Sequence, residues 1–141
     1  MDPKEFNNLA SELAADRTPV KVRTAINRAY YAALLIGFEL LRDRLSIPMR
    51  RTGDRHQDVK TYLNNSGDRE FEEVSAKLGT LQRDRIQADY YPENENVERL
   101  TKAQSSVEQA KSIIETMRAD INEPRCSQII KSIRDYREMI S

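Results

Sequence analysis

The stretch TAINRAYYAALLIGFELL, residues Thr24–Leu41, places apolar side chains around almost the whole circumference of a helix. Only Arg28 and Glu39 form a narrow polar strip, and Asn27 falls inside the apolar arc. A helix that is apolar on nearly every side is either a membrane span or the buried axis of a helical domain. The uninterrupted apolar run, Ala29–Phe38, is shorter than the ~20 residues that a membrane span requires. The stretch therefore predicts the central helix of a bundle outside any membrane, with a buried or half-buried Asn27–Arg28 pair.

The composition favours one mostly α-helical domain. At 141 residues, the chain is long enough for one domain to bury a core without disulfide or metal cross-links. Charged residues make up 33% of the chain and hydrophobic residues 38%, which is typical of helical proteins. The 23 basic and 23 acidic residues cancel, so the net charge indicates neither a nucleic-acid-binding protein nor a membrane-surface protein.

Cysteine and histidine are too scarce for the common metal sites. Cys126 is the single cysteine, which excludes an intramolecular disulfide and a thiolate metal site. His56 is the single histidine, which excludes a His-rich metal site or a His–His pair within one subunit. We therefore expect no metal and no other cofactor. The charged N-terminus carries no apolar signal segment, so the expected location is the cytoplasm.

Helix-start and helix-stop residues divide the chain into five or six predicted helices. Asp2-Pro3 begins the first helix, and Thr18-Pro19 begins the central helix, which we expect to continue to about Leu45. The other helices are predicted over Arg55–Asn64, from before Phe71 to Tyr90–Tyr91, from Asn94 or Glu95 to Pro124, and over Cys126–Ile140. Short turns between them indicate an all-α, antiparallel up-and-down bundle. We expect one domain over residues 1–141, with the core bundle at about 2–121. Its C-terminal helix, 125–141, packs either on this bundle or on a second subunit.

One predicted helix carries charges within an otherwise apolar stripe. The apolar residues at helical spacing are Phe71, Val74, Leu78 and Leu81. The same spacing of three or four residues next reaches Arg85 and then Asp89. Because a buried charge is costly unless it is paired, these two side chains should satisfy each other or a neighbour, for which Asn27 and Arg28 are candidates. The pair is either a structural ion pair that closes the end of the bundle or part of an anion site.

The anion-site interpretation gives each side chain a role. The arginines would bind a phosphate, and Asp89 would orient them. Tyr90, on the side of the helix that it shares with Arg83, would donate a hydrogen bond or stack.

Two motifs make the chain resemble a known family. Arg28-Ala29-Tyr30-Tyr31-Ala32-Ala33 and, later, Arg85-x-x-Ala88-Asp89-Tyr90 are similar to motifs of the HEPN superfamily, and in particular of its small stand-alone bacterial and archaeal members. The resemblance covers roughly residues 5 to 120. It implies a helical bundle that forms a homodimer, with a polar site at or near the dimer interface. Many members are metal-independent ribonucleases of toxin–antitoxin or phage-defence systems, and minimal nucleotidyltransferases encoded beside them are frequent partners.

The family's catalytic signature is an arginine and a histidine separated by four to six residues. Arg85 matches the arginine, but after four intervening residues this chain has Tyr90. Cleavage of RNA needs a proton acceptor for the 2′-hydroxyl and a cation for the charge on phosphorus. A tyrosine, with an ordinary pKa of about 10, is a poor base at neutral pH.

His56 offers a second way to complete the signature. The segment Arg51-Thr52-Gly53-Asp54-Arg55-His56 also fits an arginine, four residues and a histidine, in the most basic part of the chain. His56 is either a surface residue in the first turn of a short helix or, if the loop folds over Arg85–Tyr90, the missing acid–base group.

Two functions from different classes follow. In the first, the chain acts on or binds RNA as a ribonuclease toxin, with a candidate catalytic set of Arg85, Tyr90, Asp89 and His56. Candidate RNA or nucleotide ligands are Arg28, Asn27, Arg83 and Tyr31. In the second, the chain is a non-catalytic dimeric module that binds a nucleotide or a nucleotidyltransferase partner.

Overall fold

A computed structural model of the chain describes residues 1–51 and 53–141, and the basic-loop residue Thr52 lies outside the described residues. The described part is all-α, as predicted, and contains six α-helices. These are α1 (Lys4–Ala14), α2 (Pro19–Phe38), α3 (Arg55–Asn64), α4 (Arg69–Tyr90), α5 (Leu100–Arg118) and α6 (Arg125–Ile140). A π-helical segment, Glu39–Arg44, follows α2, and a 3₁₀ turn, Glu95–Glu98, precedes α5.

Helix α2 is the central helix of the bundle, as its sequence predicts. It packs against α1, α4 and α5, and most of its side chains are buried. Small residues let the neighbouring helices come close: at Gly37, an added Cβ atom would lie only 2.7 Å from Cγ1 of Val59 on α3. Only glycine, whose side chain is a single hydrogen atom, therefore lets α3 lie this close to α2 at position 37.

Contacts between helix ends define the directions of α1, α2, α4 and α5. Arg23 near the start of α2 binds the end of α4, and Lys102 near the start of α5 pairs with Asp84 near the end of α4. Arg118 at the end of α5 pairs with Asp2, just before α1. The helices α1, α2, α4 and α5 thus alternate in direction along the chain, as expected for an antiparallel bundle.

Helix α6 packs on its own chain. Ile129 and Ile133 are fully buried, and Arg125 forms ion pairs with Asp68 and Glu70 at the start of α4. This contact answers the question that the sequence left open about the C-terminal helix.

Two helix boundaries differ from the sequence prediction. The predicted continuation of α2 to about Leu45 occurs, but its last part is π-helical, with the Leu45 amide donating to the carbonyl of Leu40. The prediction that α5 begins at Asn94 or Glu95 is wrong. Extended backbone at Arg99, with φ of −73° and ψ of 133°, separates the 3₁₀ turn from the helix. The segment before α5 is instead held against α2 by hydrogen bonds from one arginine.

That arginine is Arg23, whose side chain is only 12% exposed. Its Nε and Nη2 atoms donate to the carboxylate of Glu98 at 2.9 and 2.7 Å. The same guanidinium donates to five backbone carbonyls around the end of α4, those of Gln87, Ala88, Tyr91, Pro92 and Asn94. Because the last carbonyls of a helix have no partner within it, Arg23 acts as the cap of α4.

Among residues 1–51 and 53–141, no helix combines the length and the apolar character needed to cross a membrane.

We expect the Arg23→Ala substitution to lower the free energy of unfolding by about 3 kcal/mol, because it leaves Glu98 and several carbonyls without a donor. Urea unfolding followed by circular dichroism measures the change. The matched control is Arg42→Ala, which removes an exposed pair with Asp43 and should leave stability unchanged. An equal loss in both variants would contradict the capping role.

Candidate functional site

The end of α4 places a buried arginine against two tyrosine rings of α2. Arg85 continues the core-facing stripe of α4 and is 9% exposed. Its guanidinium carbon lies 5.3 Å from the ring centroid of Tyr30 and 5.7 Å from that of Tyr31. Contacts of a guanidinium with aromatic faces within about 6 Å are attractive, and they stabilise a charge that is largely shielded from water.

His56, in the first turn of α3, joins the same two rings. Its Nδ1 atom shares a 2.9 Å hydrogen bond with the hydroxyl oxygen of Tyr30. The imidazole centroid lies 5.8 Å from each tyrosine ring. The N-terminal end of α3 thus brings the single histidine to the two rings that also contact Arg85, and Tyr30 touches both the imidazole and the guanidinium.

A polar chain connects Arg85 to a second arginine. The Asp89 carboxylate lies 3.5 Å from Nη1 of Arg85 and accepts a 2.8 Å hydrogen bond from the side-chain amide of Asn27. The amide oxygen of Asn27 accepts in turn from Nε of Arg28 at 2.7 Å and from its Nη2. Asp89 and Asn27 therefore fix the relative positions of two guanidinium groups.

The second guanidinium also rests on aromatic rings. The guanidinium carbon of Arg28 lies 5.1 Å from the ring centroid of Phe6 and 5.4 Å from that of Tyr31. Tyr31 is half-buried and contacts both arginines. We call the whole set the arginine–tyrosine cluster; its members are Asn27, Arg28, Tyr30, Tyr31, His56, Arg85 and Asp89.

Arg85 retains donors for a ligand. Its Nε atom is buried and has no hydrogen-bond partner among the described residues. Its ion pair with Asp89, at 3.5 Å, is longer than the usual 2.7–2.9 Å of a charge-assisted hydrogen bond. Because Nε is enclosed by protein, a ligand would bond to the Nη atoms, of which Nη1 has only the long contact with Asp89.

Burial and charge set the protonation states of the cluster. Burial raises the pKa of Tyr30 to about 12, against a smaller opposing effect of the positive charge of Arg85. Burial, and then the charge of Arg85, lower the pKa of His56 below its ordinary value. At neutral pH the imidazole is therefore uncharged and the Tyr30 hydroxyl is protonated, so the direction of their hydrogen bond depends on the tautomer of the imidazole. In the tautomer with the ring proton on Nδ1, Nδ1–H donates to the Tyr30 oxygen, and Nε2 keeps a lone pair that can accept a proton from a substrate.

The structure brings together most of the residues that the sequence singles out. Every candidate except two belongs to the arginine–tyrosine cluster. Tyr90 is 68% exposed, and Arg83 is exposed with its guanidinium donating to Thr80 on its own helix. Within the described part of the chain, neither side chain hydrogen-bonds or stacks with the cluster. Tyr90 and Arg83 therefore lie outside the arginine–tyrosine cluster.

Tyr30 is the cluster member that sequence reasoning missed, because it was assigned to the apolar arc of α2. Its ring is almost fully buried, and its hydroxyl finds the imidazole of His56. A signal was present, since a buried tyrosine hydroxyl needs a hydrogen-bond partner.

No group of three or more His, Cys, Asp or Glu side chains that could hold a metal ion occurs among the residues described. Comparison with known proteins finds no matching family model, no matching curated protein and no matching solved structure. The similarity to the HEPN superfamily thus stays a prediction from the two motifs.

We expect the imidazole of His56 to titrate below its ordinary pKa of about 6.5, and Arg85→Gln to raise this pKa by removing a nearby positive charge. Proton NMR of the single histidine measures both values directly. Because the folded pKa is the lower one, the associated stability is complete above about 6.5 and is lost as the pH falls through the folded value.

The control is Arg83→Gln, which removes an exposed charge from the same helix and should leave the titration unchanged. An unperturbed wild-type titration, or an equal shift in both variants, would contradict the arrangement of the cluster.

Proposed function

We propose that this chain is an RNA-directed, HEPN-like protein whose arginine–tyrosine cluster cleaves RNA. The observation that carries the proposal is the contact of Tyr30 with both His56 and Arg85. An uncharged imidazole and a guanidinium whose Nη1 atom has only a long contact with Asp89 are the two groups that cleavage next to a 2′-hydroxyl requires.

In the proposed reaction, His56 carries its ring proton on Nδ1, which donates to the Tyr30 hydroxyl oxygen, and its Nε2 accepts the proton of the ribose 2′-hydroxyl. The 2′-oxygen then attacks the adjacent phosphorus, and the bond from phosphorus to the 5′-oxygen breaks. The departing 5′-oxygen takes the proton that His56 had accepted. The products are a 2′,3′-cyclic phosphate and a 5′-hydroxyl. Arg85 stabilises the negative charge that develops on the phosphoryl oxygens, as preorganised donors do in other phosphoryl-transfer sites.

The other members of the cluster position these two groups. Tyr30 orients the imidazole through its hydroxyl, and Asp89 and Asn27 orient the two guanidiniums. Arg28 would bind a second phosphate oxygen, and Tyr31 would hold both arginines through the contacts of its ring with their guanidiniums.

The biological setting comes from the resemblance alone. It includes a cytoplasmic homodimer, a role as the toxin of a toxin–antitoxin or phage-defence system, and a minimal nucleotidyltransferase as partner. Size-exclusion chromatography with light scattering tests the dimer, and co-purification with the product of an adjacent nucleotidyltransferase gene tests the partner.

A second candidate function is a non-catalytic module that binds a nucleotide or a partner protein. The burial of Arg85 against Tyr30 and Tyr31 favours this second function, because a guanidinium in such contacts can have a purely structural role and close the end of the bundle. The two functions differ in what the loss of Arg85 does: a catalytic arginine affects turnover, whereas a structural arginine affects stability.

We expect purified protein to cleave RNA in the presence of a chelator. Arg85→Ala and His56→Ala should each reduce the rate at least about a hundredfold, as losses of an electrostatic or acid–base group do. Gel analysis of a labelled RNA measures cleavage, and thermal melts of each variant measure stability. The control is Arg69→Ala, which removes an exposed charge from the other end of α4. Absence of cleavage, with Arg85→Ala melting at a lower temperature, would favour the binding module.

Tyr30→Phe tests the positioning role. This substitution keeps the ring beneath Arg85 and removes only the hydroxyl that holds His56. We expect about a tenfold lower rate and an altered pH–rate profile, because the loss of one hydrogen bond frees the imidazole to reorient. A merely structural tyrosine would lower the melting temperature and leave the shape of the pH profile unchanged.

A further inference from the structure

A groove on the far side of α3 from His56 carries three arginines that the cluster does not use. It has a volume of about 630 Å³ and lies between the loop after the π-helical segment, α3 and the last turns of α6. Ser46, Pro48, Arg50, Tyr62, Arg134 and Arg137 line it. We call it the α3–α6 groove. Tyr62 of α3 lines this groove, and Asp58, one helical turn earlier, bonds to the groove residue Arg50, whereas His56 bonds to Tyr30 of α2.

Arg50 is held in place along one edge of its guanidinium. Its Nε and Nη2 atoms donate to the two carboxylate oxygens of Asp58 at 2.6 and 2.7 Å, and Nη2 also contacts the carbonyl of Asp54 at 3.3 Å. The Nη1 atom donates to none of the described residues, and the side chain is 56% exposed. A guanidinium fixed by a carboxylate on one edge keeps donors in a set orientation for an anion on the other.

Arg137 is oriented by the floor of the groove. Its guanidinium carbon lies 5.9 Å from the ring centroid of Tyr62. Tyr62 is buried in turn, with Tyr136 packed edge-on at a centroid distance of 6.5 Å. The second arginine thus rests on a fixed aromatic ring, which limits the conformational freedom that it would lose on binding a ligand.

Arg134 supplies a third, unpaired cation. It is exposed and forms no ion pair with any residue that the structure describes. Glu138 is the one acidic side chain among the described residues that line the groove. The net charge of the chain is zero, so this concentration of arginines is local and does not reflect a basic protein.

We propose that the α3–α6 groove binds a phosphate group, with Arg134 and Arg137 as its main ligands and Arg50 as a third. The groove has the size of a small-molecule site, and Pro48 and the edge of Tyr62 give it apolar surface beside the cations. The phosphate would belong either to a free mononucleotide or to the backbone of an RNA strand. This site shares no residue with the arginine–tyrosine cluster, so it stands or falls independently of the proposed ribonuclease activity.

Isothermal titration calorimetry with inorganic pyrophosphate tests the site. We expect the double variant Arg134→Gln, Arg137→Gln to weaken binding at least about tenfold, which is the effect of losing a charge-assisted contact. Arg134→Gln alone should weaken it by a smaller factor, and this exposed position carries little risk to folding. Lys131→Gln removes a cation from α6 outside the groove and should leave the affinity unchanged. All these titrations use an Arg85→Gln background, which removes the phosphate-binding arginine proposed for the arginine–tyrosine cluster, so that they report on the groove alone.

A second titration distinguishes the two sources of the phosphate. If the groove holds an RNA strand, the double variant binds a short single-stranded RNA more weakly and pyrophosphate competes with that RNA. If it holds a mononucleotide, adenosine diphosphate competes with pyrophosphate for the groove, and the double variant binds the RNA as tightly as the protein without these two substitutions. Absence of pyrophosphate binding, or binding that survives in the double variant, would overturn the proposal whatever the outcome of the cleavage assay.

Discussion

The structure depends on one guanidinium, that of Arg23, which ties the end of α4 to the start of α2. Every long helix ends in carbonyl groups that lack an internal partner, and here a side chain from a neighbouring helix satisfies them. This contact fixes the last turn of α4, and therefore the depth at which Arg85 and Asp89 meet α2. Arg23 has no direct part in the arginine–tyrosine cluster, yet the geometry of the cluster follows from it.

The sequence predicts the helices well where local rules decide them. Apolar periodicity identifies α2 as the central helix, and proline marks the start of α2 and the end of α4. The start of α5 is beyond such rules. Its stripe continues through Val97, which is indeed buried, but the backbone there follows the long-range contacts of Arg23 and not the helical pattern. Local propensity cannot anticipate a donor that lies about 70 residues away.

The candidate site was only partly predictable for the same reason. The arginine in an apolar stripe is visible in the sequence, because a buried charge breaks a regular pattern. The sequence also offers His56 as one of two alternatives for the acid–base group, but it does not reveal the contact of His56 with Tyr30, since the two residues belong to different helices and meet only after α3 has docked. Sequence spacing indicates Tyr90 as the counterpart of Arg85. Residues that are close along a helix can point in different directions, however, and the side chain of Tyr90 lies in solvent while that of Arg85 is buried.

Gly37 has a consequence for how this chain could change over evolutionary time. Any side chain at this position would push against Val59, because even a Cβ atom would come within 2.7 Å of it. Val59 lies one turn beyond His56 on the ten-residue helix α3, so a displacement there would be transmitted to the imidazole. Exposed faces of the bundle can drift freely, whereas position 37 links core packing to the site. A larger residue could become established only together with a smaller one at position 59.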